Sequence, residues 1–226
     1  MERVFEKIKL DRILNGRRIS LSVLEPTMEN ATALSDLVQK NEQWLDAFLP
    51  QILENACPDL ALKNLLMSDY YRQRHEMYRY GILKGDTLIG EISLLVGNHV
   101  HEVFYWLDKD HAGYGYMNEA LGVLESACFS VDPRHPLILC IDCENDASLR
   151  VAASRNYLPL RKDCYIKKFS MFMLEKNGHR SCREGTKHEI QSFIKRQSEG
   201  ASVVCSAPYE ISQSLLGHMK VNYRGA

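Results

Sequence analysis

The pattern of hydrophobic and polar positions predicts strands and helices through the first 175 residues. Short β-rich segments with alternating polarity are typical of strands, and apolar residues three and four positions apart are typical of amphipathic helices. The predicted strands are residues 18–25, 78–83, 87–96, 102–107, 137–143 and 165–174. The predicted helices are residues 28–40, 41–50, 58–76, 114–130 and 146–155. Thr27 is placed to cap the first of these helices, and Pro50 is placed to end the second.

Two of the predicted helices have a defined apolar stripe. In the helix at 114–130 the stripe is Met117, Leu121, Leu124 and Cys128. In the helix at 58–76 it is Leu60, Leu62, Leu65, Leu66 and Tyr70. We expect both stripes to face the core.

The order of the elements predicts the fold class. Short turns at Lys84–Asp86 and Gly97–Asn98 join the three central strands, which indicates an antiparallel meander. A β-α-β unit follows the meander along the chain. The sequence therefore predicts an α/β fold with a mixed, largely antiparallel sheet and helices on both of its faces.

The character of the chain changes at residue 176. Residues 176–187 are polar with weak periodicity, which is typical of a linker. We therefore divide the chain into an α/β domain at 1–175 and a C-terminal extension at 176–226. Apolar residues in the predicted short helices at 188–197 and 211–219 favour a small packed appendage over a solvated tail. Its docking surface would be the main domain or a second subunit, so a homodimer is one expectation.

Composition and charge exclude several classes of function. The net charge is -1, whereas a non-specific nucleic-acid binder needs a strong basic excess. No apolar run approaches the roughly 18 residues that would span a bilayer, and the charged first residues have no signal-peptide core. We expect a cytoplasmic protein that binds neither nucleic acid nor a membrane.

The cysteines and histidines do not predict a metal site. The seven cysteines are an odd number at irregular spacing, which does not favour a disulfide framework. Cys140 and Cys143 form a CxxC sequence, but it lies in a predicted buried strand, where thiols three positions apart diverge. Buried apolar cysteines are favoured there over a metal or redox role. The histidines at 99, 101, 111 and 135 are assigned no role.

The sequence "DHAGYGYMNEAL", residues 110–121, contains the clearest candidate site. Two glycines, Gly113 and Gly115, lie between a predicted strand and a predicted helix. A turn of this kind presents backbone N–H groups and the positive end of the helix to an anion. Taken alone, the two glycines favour a β-to-α turn without a ligand; the flanking sequence reverses this preference.

Three segments in the same order resemble the GNAT acetyltransferases, in particular the RimJ/RimL-like branch of ribosomal-protein N-acetyltransferases. They are "NEQWLDAFLP" at 41–50, "VFYWLDKDHAGYGYMNEAL" at 103–121 and "ENDASLRVAASRNY" at 144–157. The resemblance covers roughly residues 10–174. Three positions depart from the family pattern: Ala112 lacks a long side chain, Met117 replaces a small residue, and Asn156 stands where glycine is usual.

The resemblance implies an acetyl-CoA site around the glycine turn. The backbone N–H groups of Gly113, Gly115 and Tyr116 would donate to the diphosphate, and Asn145 would bind the pantetheine amides. The full set of implied cofactor-binding residues is Trp106, Leu107, Ala112, Gly113, Tyr114, Gly115, Tyr116, Met117, Asn145 and Ser148.

Acetylation of an amine needs a deprotonated amine, a polarised thioester carbonyl and a proton for the leaving thiolate. The resemblance implies that a backbone N–H near Leu107 polarises the carbonyl. Glu102 is the first candidate for the base, Glu91 is the second, and an exposed strand carboxylate is the alternative for each. Ser148 would protonate the thiolate, or would serve only in the cap of the helix that begins near Asp146.

The predicted function is therefore an acetyl-CoA-dependent N-acetyltransferase, an acyltransferase of the EC 2.3.1 type. Its acceptor would be a protein α-amino group or a small-molecule amine. Two alternatives remain open at this point. One is a GNAT-fold module that has lost catalysis and senses CoA or binds a partner, and the other is an acyltransferase with a larger acyl group.

Overall fold

A computed structural model of the chain describes residues 8–161 and 163–168. The eight strands in these residues form one sheet in the order β1-β2-β3-β4-β5-β6-β8-β7. Their bounds are Ile13–Asn15 (β1), Ser20–Val23 (β2), Met77–Lys84 (β3), Thr87–Val96 (β4), His101–Leu107 (β5), Leu137–Cys140 (β6), Leu158–Arg161 (β7) and Cys164–Lys167 (β8).

Five α-helices connect these strands. Their bounds are Met28–Lys40 (α1), Glu42–Asp46 (α2), Pro58–Gln73 (α3), Tyr116–Val131 (α4) and Asp146–Ser154 (α5). Short 3₁₀ helices at Pro50–Ala56 and Lys109–His111 complete the connections. The hydroxyl of Thr27 accepts a hydrogen bond from the N–H of Asn30 at 3.2 Å, which confirms the predicted cap of α1.

The pairing of β5 with β6 determines where a ligand can enter the sheet. Every other neighbouring pair of described strands is antiparallel, but β5 and β6 run parallel. They pair only at His101 with Leu137 and at Glu102 with Ile138. Beyond these two pairs the strands part, so a wedge opens between their carboxyl ends, where ligands of sheets with parallel strands usually bind.

Helices cover both faces of the sheet, as the sequence predicts. The larger core cluster joins the sheet to α4, through Ala120, Leu121 and Leu124. A second cluster joins the opposite face to α1 and α3, through Leu34, Val38 and Leu65 among others. The mixed, largely antiparallel α/β architecture is therefore confirmed.

The structure corrects several details of the predicted elements. The predicted strand at 137–143 ends at Cys140, and both Cys140 and Cys143 are exposed, so the prediction that they are buried is wrong. The hairpin of β7 and β8 replaces the single strand predicted at 165–174 within the described residues.

The stripe of α4 is buried as predicted, but of the stripe predicted for α3 only Leu65 is buried. The residues that α3 buries are Ala61, Leu65 and Ser68, while Leu66 and Tyr70 are more than half exposed. These three residues follow one another at spacings of four and three and therefore share one face of α3, which is the buried face. The predicted extension at 176–226 lies outside the described residues, and the division of the chain at that point stays a prediction.

Candidate functional site

A cleft of about 510 Å³ fills the wedge between β5 and β6. Its walls are the carboxyl half of β5, the glycine turn with the first turn of α4, the end of β6, and α5. Residues of α2 and the chain directly after it, including Trp44 and Phe48, close the remaining side. The segments that were predicted to form the site, at 41–50, 103–121 and 144–157, therefore meet around one cavity.

The glycine turn has the backbone conformation that an anion cradle requires. Gly113 has φ +82° and Gly115 has φ +80°, values that residues with a Cβ atom rarely adopt. Gly115 precedes α4 directly and offers no side chain to cap it. The first hydrogen bond of the helix runs from the N–H of Glu119 to the carbonyl of Gly115 at 3.1 Å. The N–H groups of Tyr116, Met117 and Asn118 precede that bond and remain for a ligand.

Arg18, which the sequence interpretation did not include, lies between β1 and β2 and holds the glycine turn in place. Its backbone N–H and its Nε both donate to the carboxylate of Glu119, at 2.6 and 2.7 Å. Its guanidinium also donates to the carbonyl of Tyr114 at 2.9 Å and lies 4.9 Å from the ring centre of Tyr116. The ammonium group of Lys84 lies 5.3 Å from the same ring. The turn is therefore held by a cation and has a second cation beside it.

Backbone N–H groups of β5 point into the cleft. The N–H of His101 donates to the carbonyl of Pro136 on the β6 side, and the N–H of Asp108 donates to Ile89 on the β4 side. Since successive N–H groups of a strand alternate between its two edges, those of Tyr105 and Leu107 face β6. The strands have already parted at these positions, so both groups face the cleft. This geometry suits the predicted role of Leu107 as a donor to a thioester carbonyl.

Glu91 is engaged in a buried ion pair. The Nε and an Nη atom of Arg79 donate to its two carboxylate oxygens at 2.7 and 3.0 Å, and the indole N–H of Trp106 donates to it at 2.9 Å. Glu91 is 3% exposed and does not line the cleft, whereas Trp106 does. Its contacts suit a role in fixing the Trp106 ring better than a role as a base, because both oxygens already accept strong hydrogen bonds.

Glu102 is buried at the closed end of the wedge and reaches the cleft through one neighbour. Burial raises the pKa of Glu102 to about 7, although a hydrogen bond with the Cys140 thiol acts in the opposite direction. Its Oε2 atom is buried without a hydrogen-bond partner among the described residues. Cys140 lines the cleft and Glu102 does not, so the thiol lies between the carboxylate and the cavity.

Asn145 and Ser148 both line the cleft at the start of α5. The side-chain oxygen of Asn145 accepts a hydrogen bond from the N–H of Ser148 at 3.0 Å, so Asn145 is the cap of α5. Ser148 lies within the helix rather than at its cap, which corrects that alternative. The hydroxyl of Tyr105 donates to the carbonyl of Ser148 at 3.4 Å and so links β5 to α5 across the cleft.

A buried carboxylate ties the α1–α2 junction to the glycine turn. Asp108, at the end of β5, accepts hydrogen bonds from Lys40 at 2.8 Å, from Asn41 at 3.0 Å and from the ring of His111 at 2.9 Å. The side-chain oxygen of Asn41 accepts in turn from the N–H of Lys109 at 2.9 Å. Burial by itself would raise the pKa of Asp108, but these donors outweigh it and hold the pKa at about 2.

The two unusual residues of the turn have different surroundings. Ala112 lines the cleft just before Gly113 with an ordinary backbone conformation. Met117 is 7% exposed, lines the cleft and packs in the α4 core. Tyr114 is 65% exposed, so its side chain lies largely in solvent. The donors of the turn are therefore mainly backbone groups, and Met117 fills space beside them.

The parallel wedge, the glycine turn at its mouth and the helix that begins there define an acyl-CoA-binding type of fold. The chain belongs to the acetyltransferase (GNAT) domain family, which it matches over residues 21–155. No helix within residues 8–161 and 163–168 has both the length and the apolar character to cross a bilayer.

Individual relatives lie in the branch that the sequence suggested. The chain is 30% identical over 124 residues to the ribosomal-protein-serine acetyltransferase of Escherichia coli (strain K12), an alignment that covers 53% of this chain and 64% of the relative. Among solved structures, RimL, a ribosomal L7/L12 α-N-protein acetyltransferase in complex with coenzyme A, is similar with a TM-score of 0.63 at 20% identity. That match covers 70% of this chain and 99% of the other. RimJ of Mycobacterium smegmatis, in complex with CoA-disulfide, has a TM-score of 0.58 at 15% identity, with coverage of 77% and 95%.

Proposed function

We propose that this protein transfers an acetyl group from acetyl-CoA to an amine. The observation on which the proposal chiefly depends is the wedge between β5 and β6. It brings the N–H groups that precede the first intrahelical bond of α4 and the inward N–H groups of Tyr105 and Leu107 to one cavity. A diphosphate at the first set and a thioester carbonyl at the second would satisfy both.

The donor set fits the chemistry of acetyl-CoA. The turn from Gly113 to Tyr116 and the N-terminus of α4 would hold the diphosphate. Asn145 would hold the pantetheine amides with its amide N–H₂ group, because its oxygen already caps α5. When bound, acetyl-CoA supplies an activated acyl group and a thiolate leaving group.

Residues of this chain would then move the protons. We assign the base to Glu102, which would accept the amine proton by way of the Cys140 thiol or a water molecule. Ser148 would donate a proton toward the sulfur, since it lines the same wall as Asn145. Glu91 would act through Trp106, as a positioning residue.

The acceptor would enter between α2 and β6, where Trp44, Phe48 and Leu49 form an apolar wall. The names of the relatives favour a protein α-amino group, and a small-molecule amine is the alternative. We place the protein in the cytoplasm, in agreement with its odd number of irregularly spaced cysteines, which do not favour a disulfide framework.

The test uses the full chain, acetyl-CoA and a panel of amines that includes peptides with different first residues. Mass spectrometry of the products detects acetylation directly and is not disturbed by the protein's own thiols. At least one amine should be acetylated at a rate that depends on enzyme concentration. Glu102→Gln should lower turnover roughly 10²-fold with little change in acetyl-CoA affinity.

Glu144→Gln is the matched control, because Glu144 is an exposed carboxylate outside the cleft wall. This variant should keep normal turnover. Binding of acetyl-CoA by calorimetry without product from any amine would contradict catalysis and favour a CoA-binding module. Normal turnover in Glu102→Gln would remove Glu102 from the mechanism.

A further inference from the structure

Three potential metal ligands lie at the closed end of the β5–β6 wedge: His101, Asp132 and His135. One ligand atom from each lies within 4.8 Å of the other two. We propose that these residues bind one divalent transition-metal ion, for which Zn²⁺ is the natural probe. The proposal is independent of the acetyl-transfer reaction.

The distances in the cluster are close to those of a metal site. Nε2 of His101 lies 3.4 Å from Oδ2 of Asp132. Two ligands of a tetrahedral zinc ion, each at about 2.0–2.1 Å, would be about 3.3 Å apart. Nδ1 of His135 lies 2.5 Å from the same oxygen, in hydrogen-bonding contact. A bound ion would replace the proton between Nδ1 of His135 and Oδ2 of Asp132, and it would require only a small outward movement of the His135 ring.

His101 gives the second, independent indication of a ligand. It is 2% exposed, its Nδ1 has no hydrogen-bond partner among the described residues, and its Nε2 has only the long 3.4 Å contact with the Asp132 carboxylate. A buried polar group without a partner costs about 1–3 kcal/mol, so an imidazole fixed in this way needs a reason. Coordination through Nε2 would replace its long contact with Asp132 by a metal–nitrogen bond and would fix the orientation of the buried ring.

The backbone holds the three ligands in place before any ion binds. Asp132 directly follows α4 as its C-cap residue, and its N–H donates to the carbonyl of Cys128 at 2.8 Å. The N–H of His101 donates to the carbonyl of Pro136 at 2.9 Å, directly after His135. This backbone hydrogen bond thus ties the start of β5, which carries His101, to the α4–β6 connection, which carries the other two ligands.

The ligand types select the metal class. Two imidazoles and one carboxylate suit Zn²⁺, Fe²⁺, Ni²⁺ or Cu²⁺, whereas Ca²⁺ and Mg²⁺ prefer oxygen ligands. The side chain of His135 is 14% exposed, so an ion and a water ligand could reach the site from that side. Arg134 places a cation near the site, with its Nε 3.5 Å from Asp132, but its side chain is 67% exposed and can turn toward solvent.

The position of the site indicates a structural role. His101 begins β5 and Leu107 ends it, so six residue steps separate the site from the proposed thioester position, about 20 Å at roughly 3.3 Å per residue. An ion at this end would join the start of β5 to the α4–β6 connection. It would therefore fix the closed end of the wedge whose open end forms the cleft.

The experiment begins with full-length protein dialysed against a chelator, followed by calorimetric titration with Zn²⁺. One ion should bind per chain. At a free Zn²⁺ concentration about 100 times Kd, the melting temperature should rise by roughly 5–10 °C. His101→Gln and His135→Gln should each remove the bound ion and the thermal shift. His99→Gln is the matched control, because His99 is exposed in the loop just before β5, and it should retain both.

Among the described residues, the exposed thiols of Cys57, Cys140 and Cys143 are the competing zinc ligands, and Co²⁺ distinguishes thiolates from the proposed site. A Co²⁺ complex of the proposed site should show a tetrahedral visible spectrum without thiolate-to-metal charge transfer. Full binding in His101→Gln and His135→Gln, or a charge-transfer band in the wild type, would assign the ion to the thiols. Absence of binding in the wild type would overturn the proposal as well. If one histidine variant is unfolded by circular dichroism, Asp132→Asn and the other variant supply the same comparison.

Discussion

Replacing Asp108 by asparagine removes the charge at the junction between β5 and the glycine turn while keeping the shape of the side chain. Lys40, Asn41 and His111 all donate to this carboxylate, and its side chain is 2% exposed. The side-chain N–H₂ group of asparagine is itself a donor, so it would face groups that donate and could accept from none of them. We expect Asp108→Asn to destabilise the fold and to loosen the contact of α1 with the turn.

The pKa of Asp108 gives the magnitude. It falls from the usual 3.8 to about 2, because the three donors outweigh the effect of burial. At 1.36 kcal/mol per pKa unit, ionised Asp108 contributes about 2 kcal/mol to the free energy of unfolding. That is within the range of about 1.5–3 kcal/mol for hydrogen bonds to charged groups.

The sign of the pH dependence follows from the depressed pKa. A carboxyl group whose pKa is lower in the folded state contributes stability above its unfolded pKa and loses it as the pH falls toward the folded value. The difference between wild type and Asp108→Asn should therefore be complete at pH 5 and about half as large at pH 3.

Urea denaturation of both proteins at several pH values measures this difference. Asp110→Asn is the control, because Asp110 pairs with the same Lys40 at 2.7 Å but is 70% exposed. An exposed pair contributes about 0–1 kcal/mol. Equal effects of the two substitutions, or a difference that does not shrink at low pH, would refute the reasoning about Asp108.

Two further predictions concern the cofactor cradle and the core beneath it. Gly115→Asp should weaken CoA binding in calorimetry at least about tenfold, or about 1.4 kcal/mol. Gly115→Asn introduces the same backbone strain without the charge and should weaken binding less, so equal CoA affinities of the two variants would refute the assignment of the phosphates to this turn. Arg155→Met should lower the free energy of unfolding by about 3 kcal/mol, because Arg155 and Lys167 both donate to the fully buried Glu125. A loss below about 1 kcal/mol in urea denaturation would show that Lys167 alone compensates the charge of Glu125.

Much of the fold follows from local patterns in the sequence. The central meander is predicted because its strands are long and its turns contain glycine, and the structure confirms β4 at Thr87–Val96 as predicted. The β7–β8 hairpin was missed because each strand has only four residues and Pro159 interrupts the first. The exposed end of β6 was missed because the wedge leaves Cys140 without a paired neighbour on β5, and such a gap is a property of the tertiary structure.

The candidate site divides in the same way. The glycine turn could be predicted because its chemistry lies in adjacent residues. The contact of Arg18 with Glu119 spans 101 positions, and that of Lys40 with Asp108 spans 68. Nothing in the residues next to Arg18 or Lys40 in the sequence distinguishes either one from an ordinary surface residue. Only the folded sheet brings such pairs together.

The unusual residues at the turn are compatible with a working cradle for a physical reason. A long side chain at position 112 would add one cation beside the diphosphate, but the backbone N–H groups from Gly113 to Asn118 do not depend on it. Lys84, from the end of β3, already lies beside the ring of Tyr116, and Arg150 lines the cleft from α5. Arg150 thus brings positive charge to the cleft itself, and Lys84 places a further cation beside the turn. The Met117 side chain packs partly in the core around α4 and partly against the cleft, so only part of its bulk takes space from the cleft.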